Sequence, residues 1–284
     1  PLAALAPTPS QATTPPDSTS APDDAVEPSP AADVGSAAME EPVAAASPPP
    51  LPVLERPVRI LVAGDSTAEA TGAGLINWAA ERPDLAQAEL FTVPGCGFMT
   101  GGTYVLGDSE LEVAEGCTNY VDVAIGEAAR DRQVDVVMLM TTAWDVQDRM
   151  WEDGLAGSVL DDAVAARLRD DMTALTESIL AVGAGSVAWI RGPISDVGWG
   201  DDVGPQEDPA RHAVIYAVID ELAERYPARV HMIDLPTFVD EAGLAEDRDA
   251  RPDGVHWTPE AATYIATWYL GEQLIRSALD LQPR

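Results

Sequence analysis

Residues 58–72, VRILVAGDSTAEATG, set the start of the folded chain, because an apolar run passes through Gly-Asp-Ser at 64–66 into a helix-like stretch. Residues 58–63 are apolar and β-branched, which predicts a buried strand. Residues 67–80 have the pattern of a helix. Ser66 therefore lies at the junction of a strand and a helix, and the role of its hydroxyl needs an explanation.

The same alternation of strand and helix continues along the chain. Further apolar runs predict strands at 89–93, 134–140, 186–190 and 230–233. Helices are predicted at 121–132, 160–182, 209–225 and 259–279, and a long loop at 94–117. Five strands separated by helices predict an α/β fold, a three-layer α/β/α domain around a five-stranded parallel sheet. Ligands bind such sheets at the carboxyl ends of the strands, where Ser66 is expected.

The first 57 residues have a different composition from the rest. They are rich in Pro, Ala, Ser, Thr and acidic residues and contain no aromatic residue. Such a segment cannot bury enough apolar surface to become ordered, so 1–57 is predicted to be a disordered linker or stalk before a domain at 58–284. A stalk of this kind favours a surface protein, with a cytosolic tail as the alternative. Because the chain begins with Pro1, we expect a signal peptide or a membrane region upstream.

The charge of the chain excludes several classes of partner. It has 48 Asp and Glu against 16 Lys and Arg, a formal net charge of -32, and all of the basic residues are Arg. This charge repels nucleic acid and anionic lipid surfaces, so no nucleic-acid partner is expected. The longest apolar stretch, 134–144, is far shorter than the ~20 residues that a transmembrane helix needs.

Ser66 has two interpretations. In the first, Ser66 and Glu69 form a capping box that begins the helix. In the second, the turn exposes the hydroxyl as a nucleophile beside the free N–H groups of the helix N-terminus. The tripeptide alone favours the cap, and its second occurrence at 107–109 is read only as a turn.

A second motif near the end of the chain favours the nucleophile. Asp253 lies three residues before His256, just ahead of a predicted helix. His256 can take the proton of Ser66, and Asp253 can fix the imidazole tautomer, which predicts a catalytic set of Ser66, His256 and Asp253. His212 and His231 lie within a predicted helix and strand, where surface or core roles are expected.

These two motifs resemble the first and last motif blocks of the SGNH (GDSL-type) hydrolase superfamily, whose members have a flavodoxin-like sheet. The likeness covers roughly residues 57–280. The segments PGCGF at 94–98 and TTAWDVQDR at 141–149 resemble the SGNH domains attached to bacterial acyltransferase-3 type membrane acyltransferases. The resemblance implies a bacterial, extracytoplasmic location, either cell-surface or secreted. It also implies a membrane acyltransferase domain upstream, with 1–57 as the linker.

Two cysteines, Cys96 and Cys117, are the only ones in the chain. In an exported protein this pair predicts a disulfide across the long loop, worth on the order of 3 kcal/mol. In a cytosolic protein they would be free thiols without the spacing of a metal site.

The chain departs from the superfamily in the third motif block, where a typical member has Gly-x-Asn-Asp. Residues 142–145 read Thr-Ala-Trp-Asp, so the Asn that donates to the oxyanion is missing. We therefore expect backbone N–H groups to stabilise the oxyanion. The expected donors are Ser66, Gly95 and Gly97. The expected substrate-binding residues are Asp65, Thr142, Trp144 and Asp145, although Trp144 has a core position as its alternative.

No cofactor and no metal are expected. The acidic loop 196–208 lacks the ligand spacing of an EF-hand, and Ser66 does not lie in a Gly-x-Ser-x-Gly elbow. The expected function is a serine-type esterase or O-acyltransferase acting through an acyl-serine intermediate. Its expected substrates are acyl esters, foremost acetyl esters, of cell-surface polysaccharide or of small molecules, and we expect a monomer. The alternative is a catalytically silent glycan-binding module beside a membrane acyltransferase.

Overall fold

The computed structural model describes residues 50–197 and 204–281. Residues 1–49, which make up most of the predicted linker, lie outside the described residues, as do 198–203 of the acidic loop and 282–284. At the start of the described chain, Leu51 and Leu54 pack against a hydrophobic cluster of the domain. The Arg56 guanidinium donates to the Asp135 carboxylate at 2.6 Å. Leu51, Leu54 and Arg56 therefore contact the domain ahead of its first strand, whereas Val53 between them is fully exposed.

The described residues form nine strands and eight α-helices. The strands are β1 (Val58–Gly64), β2 (Ala86–Thr92), β3 (Thr103–Leu106), β4 (Ser109–Glu112), β5 (Val136–Met140), β6 (Asp148–Met150), β7 (Ala156–Gly157), β8 (Ser186–Arg191) and β9 (Val230–Asp234). The helices are α1 (Ser66–Glu81), α2 (Glu115–Asn119), α3 (Ile125–Arg132), α4 (Asp162–Ala181), α5 (Pro209–Arg225), α6 (Leu235–Glu241), α7 (Pro259–Ile265) and α8 (Gly271–Ala278). Single π-helical turns join α2 to α3 (Tyr120–Ala124) and α7 to α8 (Ala266–Leu270).

Five strands form one parallel sheet in the order β2-β1-β5-β8-β9. The predicted five-stranded parallel sheet is therefore confirmed. Each predicted strand overlaps an observed one, although β2 begins at Ala86 rather than at residue 89 because it pairs with β1 from Val58 onward. The chain order reverses at β1, which has β2 on one side and β5 on the other. The carboxyl end of β1 is thus a topological switch point, the usual ligand position in such sheets.

Helices cover both faces of this sheet, which confirms the three-layer arrangement. On one face Leu61 and Leu139 pack with residues of α3, α4 and α5, such as Leu168. On the other face Ile60 and Val62 pack with residues of α1, α7 and α8. Burial on both faces explains why β5 reads as an uninterrupted apolar run.

The packing of α1 on α7 brings the two predicted motifs together. Gly74 of α1 lies so close to α7 that a Cβ atom there would overlap the backbone of Ala262. Helix α1 begins at Ser66, and α7 begins three residues after His256, with Thr258 as its N-cap. Helix α1 follows the Ser66 motif and α7 follows the His256 motif, so the contact between the two helices brings the two motifs close together.

The structure corrects the predicted loop at 94–117. Within it, β3 and β4 form an antiparallel hairpin that turns at Gly107, where φ is 62°. The hairpin belongs to a four-stranded sheet in the order β4-β3-β6-β7. Strands of four residues show too little periodicity to be read from sequence, and their pairing with β6 depends on residues far along the chain. Helix α6 was also not predicted.

Cys96 and Cys117 form the expected disulfide. It joins the segment after β2 to α2, and Cys96 is buried in the core. None of the described helices combines the length and apolar character that crossing a bilayer requires.

Candidate active site

Ser66 follows a sharp turn at the carboxyl end of β1. Gly64 makes this turn with φ of 145°, a conformation that favours glycine. A Cβ atom at Gly64 would also overlap the carbonyl oxygen of Met140 on the neighbouring strand. The glycine therefore allows the chain to leave the sheet directly into α1, with Ser66 as the first residue of that helix.

Asp65, not Ser66, is the N-cap of α1. Its Oδ1 accepts from the N–H of Thr67 at 2.9 Å and of Ala68 at 3.3 Å. The capping box of Ser66 and Glu69 is therefore wrong, and Glu69 instead accepts from Thr92 at 3.1 Å. Because the carboxylate satisfies the helix terminus, the serine hydroxyl is left for another partner.

That partner is His256. The His256 Nε2 lies 2.8 Å from the Ser66 Oγ, and its Nδ1 lies 2.7 Å from the Asp253 Oδ2. The imidazole thus bridges the two other side chains, with hydrogen-bond distances on both sides. The three residues predicted from the two motifs lie together, although Ser66 and His256 are 190 positions apart.

The turn before α7 holds Asp253 in place and keeps it ionised. Asp253 Oδ1 accepts from the backbone N–H of Val255 at 2.8 Å and of His256 at 2.7 Å. Partial burial acts to raise the pKa of Asp253, but these bonds and the bond to the His256 ring outweigh it and lower the pKa to about 2. The carboxylate is therefore charged at neutral pH and accepts a hydrogen bond from the imidazole Nδ1–H.

A cavity of about 410 Å³ opens beside Ser66 and His256. The His256 and Asp253 side chains are 39% and 45% exposed, so the site is open to a ligand. The residues that line the cavity are mostly apolar. They are Asp65, Ser66, Thr67, Val105, Leu106, Gly107, Ala143, Trp144, Gln147, Val197, Pro205, Gln206, Val255 and His256.

Comparison with protein families identifies the chain. The family model described as the SGNH domain (fused to AT3 domains) matches residues 39–270. The chain belongs to the SGNH domain family. A comparison with curated proteins gave no match.

Several solved structures are similar to this SGNH domain. A lipase/acylhydrolase from Enterococcus faecalis is 15% identical, with 80% of this chain and 98% of that chain covered and a TM-score of 0.48. The periplasmic domain of a lipopolysaccharide acetyltransferase from Salmonella ser. Paratyphi A is 13% identical, with coverages of 78% and 85% and a TM-score of 0.48. The carbohydrate acetylesterase Est24 from Sinorhizobium meliloti is 12% identical, with coverages of 74% and 95% and a TM-score of 0.46.

Two acidic residues of the SGNH domain that were expected to bind substrate have side chains that are fully buried. Asp65 borders the cavity, but its carboxylate caps α1, and burial raises its pKa while the bonds to Thr67 and Ala68 partly oppose the shift. Asp145 accepts from the N–H groups of Phe98 and Met99, each at 2.8 Å. Both carboxylates hold backbone segments in place, and a role of either in substrate binding stays a prediction.

Thr142 and Trp144 differ from each other in position. Thr142 is buried, and its hydroxyl donates to that of Thr67 at 3.2 Å, so it supports the turn instead of facing the cavity. Trp144 lines the cavity and is only partly buried. Of the two positions considered for Trp144, the structure therefore places it at the cavity.

The expected oxyanion donors have different surroundings. The Ser66 N–H is the first of α1, so it has no acceptor within the helix. Gly97 is buried against the carboxylate of Asp145, and Gly95 lies beside the indole of Trp144. Neither glycine lines the cavity. Their role as donors stays a prediction.

Tyr120 supports the nucleophile turn and was missed in the sequence. Its hydroxyl accepts from the Gly64 N–H at 2.8 Å and donates to the carbonyl of Phe91 at 2.5 Å. Burial raises the pKa of Tyr120, so the phenol stays neutral. Tyr120 begins the π-helical turn between α2 and α3, a feature that ordinary helical periodicity does not reveal.

Arg149, the last residue of the segment 141–149, is a second supporting residue, and the sequence did not reveal its role. Its guanidinium is fully buried and donates to the carbonyl oxygens of Met99, Gly101 and Trp144. It also stacks over the Tyr104 ring at 4.3 Å. A buried cation that bonds to carbonyl groups fixes the loop after β2 against the loop after β5.

The other histidines lie outside the cavity lining. His212 is buried in α5 and its Nε2 lies 2.9 Å from the Gln206 carbonyl oxygen, while His231 is buried in β9. Burial lowers the pKa of both. Within the described residues, no cluster of three or more His, Cys, Asp or Glu is placed to hold a metal ion. Part of the acidic loop considered for calcium, 198–203, lies outside them.

Proposed function

We propose that this SGNH domain is a serine-type esterase or O-acyltransferase that works through an acyl-Ser66 intermediate. The single observation that carries the proposal is the bridging His256 ring, 2.8 Å from Ser66 Oγ and 2.7 Å from Asp253 Oδ2. A nucleophile, a base and a group that orients the base are the parts that acyl transfer by serine requires.

The reaction begins when Ser66 Oγ attacks the ester carbonyl and His256 Nε2 accepts the hydroxyl proton. Asp253 holds the Nδ1–H tautomer and stabilises the imidazolium. His256 then gives the proton to the departing alcohol, and the acyl group stays on Ser66. Water or a sugar hydroxyl then attacks the acyl carbon with His256 again as the base. The bond from the acyl carbon to Ser66 Oγ breaks and His256 returns the proton to Ser66, which gives hydrolysis or transfer.

Backbone N–H groups stabilise the negative charge on the carbonyl oxygen in this proposal. Ser66 N–H lies at the N-terminus of α1, a helix of 16 residues whose dipole favours negative charge there. Gly95 or Gly97 supplies the second donor in place of the missing Asn side chain. Without a side-chain donor we expect slow turnover, since losing one oxyanion donor costs roughly 100- to 1,000-fold in other serine enzymes.

The proposed setting is the outside of a bacterial cell, with acylated cell-surface polysaccharide as acceptor or substrate. The family is described as fused to AT3 domains, which supports a membrane acyltransferase as the upstream partner. The disulfide between Cys96 and Cys117 supports an oxidising compartment. A net charge of -32 repels polyanionic polysaccharides but not neutral ones, so it favours neutral glycans as substrates.

A turnover assay with 4-nitrophenyl acetate, run with and without neutral oligosaccharides and followed by mass spectrometry, tests the function. We expect slow release of 4-nitrophenol that Ser66→Ala abolishes, with acetylated oligosaccharide as the mark of transfer. Glycan binding by a protein without any Ser66-dependent turnover would contradict the enzyme and favour the silent binding module.

A further inference from the structure

The cavity beside Ser66 has two walls. The first, the hairpin wall, is formed by Val105, Leu106 and Trp144. Val105 and Leu106 belong to β3, and the Tyr104 ring of the same strand packs on the Trp144 indole with the centroids 5.1 Å apart. The Tyr104–Trp144 contact therefore joins the parts of the hairpin wall, which consists of two aliphatic side chains and one indole.

The second wall, the histidine wall, is formed by Val197, Pro205 and Val255. Val255 directly precedes His256 in the chain. The Asp196 N–H donates to the Gly254 carbonyl at 2.8 Å, which joins the segment after β8 to the His256 turn. This wall is therefore built around the catalytic base.

Two amide side chains connect the walls. The Gln147 Nε2 donates to the Gln206 Oε1 at 3.2 Å and to the Ala143 carbonyl at 3.0 Å. The other polar lining residues are Ser66, His256, Asp65 and Thr67, and their side chains are bonded to one another in the pairs Ser66–His256 and Asp65–Thr67. A sugar hydroxyl placed against the apolar hairpin wall would therefore lose its bonds to water without replacement. A cavity of about 410 Å³ is also in the size range of drug-sized ligands and is left largely empty by an acetyl group.

The direction of the proton transfer indicates which wall of the cavity faces the alcohol and which faces the acyl chain of the ester. His256 Nε2 must give its proton to the leaving alcohol oxygen, so the alcohol lies on the side of the histidine wall. The acyl chain extends from the carbonyl carbon away from the leaving oxygen, toward the hairpin wall.

We propose that the hairpin wall binds an apolar acyl chain longer than acetyl, such as butanoyl or hexanoyl, when it is carried to Ser66. This inference rests on the proposed function. In the acylation step the bond from Ser66 Oγ to the acyl carbon forms and the ester C–O bond breaks. The Ser66 proton passes through His256 to the departing alcohol, so the step needs no other reactant.

The first test compares 4-nitrophenyl acetate, butanoate and hexanoate, which share one leaving group. Each methylene buried against the hairpin wall is worth about fourfold in kcat/KM, so butanoate is expected to exceed acetate by roughly 15-fold. If kcat/KM for the acetate ester equals or exceeds that for the longer esters, the inference is overturned while the proposed esterase activity stands. Absence of Ser66-dependent turnover of every ester would overturn both.

The second test places the chain on one wall. Propyl acetate and hexyl acetate differ only in the alcohol, which faces the histidine wall, so we expect Leu106→Ser to change the ratio of their kcat/KM values by less than about twofold. A strong preference for hexyl acetate, without a preference among the acyl chains, would assign the apolar cavity to the alcohol and contradict the proposal.

Substitutions in the hairpin test whether the preference for longer acyl chains depends on the hairpin wall. Leu106→Ser and, separately, Val105→Ser are expected to lower the ratio of hexanoate to acetate kcat/KM by about tenfold. Leu111→Ser is the matched control, since Leu111 lies on β4 of the same hairpin, is 49% exposed and does not line the cavity. An equal loss in all three variants, or in none, would contradict a specific acyl-binding wall.

Discussion

Three successive residues divide the work at the nucleophile turn. Gly64 makes the turn, Asp65 caps α1 with its carboxylate, and Ser66 presents its hydroxyl to His256. Because Asp65 supplies the oxygen that caps α1, the Ser66 side chain is not needed at the helix terminus. Each of the two catalytic motifs could be predicted because it is a short stretch of sequence. The burial of Asp65 could not, because it depends on packing across several strands.

Asp253→Asn is the most informative substitution at this scale. The amide would present its NH₂ group to the imidazole and favour the wrong tautomer, which costs about 10⁴-fold in kcat in other serine enzymes. We expect a loss of this size in ester turnover and unchanged far-UV circular dichroism. Asp249→Asn is the control, because Asp249 lies outside the cavity lining on the preceding turn. Activity of Asp253→Asn close to the wild type would contradict the assigned role.

The pKa of Asp253 also predicts a pH dependence. It is about 2 in the folded protein, against ~3.9 in an unfolded chain. A lowered folded-state pKa stabilises the fold above the unfolded value, and this stabilisation is lost as the pH falls through about 2. The stability advantage of the wild type over Asp253→Asn should therefore shrink between about pH 5 and pH 2, as measured by urea unfolding. An advantage that grows on acidification would have the wrong sign.

At the scale of the elements, long-range pairing separates what the sequence could predict from what it could not. β5 and the other central strands are buried on both faces, so their apolar runs were readable. The β3–β4 hairpin is stabilised by pairing with β6, and its residues Val105 and Leu106 became part of the cavity only through that contact. Likewise, no local signal places Gln147 beside Gln206.

Tyr120, the first residue of the π-helical turn, supports the turn before Ser66 through its hydroxyl group. Tyr120→Phe leaves the buried Gly64 N–H without its acceptor, which costs about 1–3 kcal/mol. We expect a lower urea midpoint and slower turnover, because the turn before Ser66 loses its support. Tyr226→Phe is the matched control, since its hydroxyl bonds to Glu177 at the surface. Equal effects of the two substitutions would show that Tyr120 has no special role.

At the scale of the whole molecule, the α1–α7 contact and the net charge of the chain have opposite effects on compactness. The close contact of α1 and α7 brings residues 190 positions apart into hydrogen bonding, so the site depends on the complete domain. The net charge of -32 acts against compactness through self-repulsion. Composition alone revealed this charge, but the α1–α7 contact required the folded chain.

Salt should therefore stabilise the protein. Raising ionic strength from about 0.1 M to 1 M shortens the Debye length from ~10 Å to ~3 Å and weakens repulsion among the acidic groups. If screening relieves ~1–2 kcal/mol, Tm rises by about 2–8 °C. Differential scanning calorimetry in NaCl and in tetramethylammonium chloride measures this shift and separates screening from specific sodium binding. A Tm that stays constant or falls in both salts would contradict the expectation.

The most direct measurement is the mass spectrometric detection of the acyl-enzyme. The wild-type domain is mixed with 4-nitrophenyl butanoate, quenched in acid and digested, and each peptide is searched for the added acyl mass. The His256–Ser66 geometry predicts one adduct, on Ser66, that is absent in Ser66→Ala and strongly reduced in His256→Ala. Release of 4-nitrophenol without acylation of Ser66, or an adduct at another residue, would contradict nucleophilic catalysis at this site.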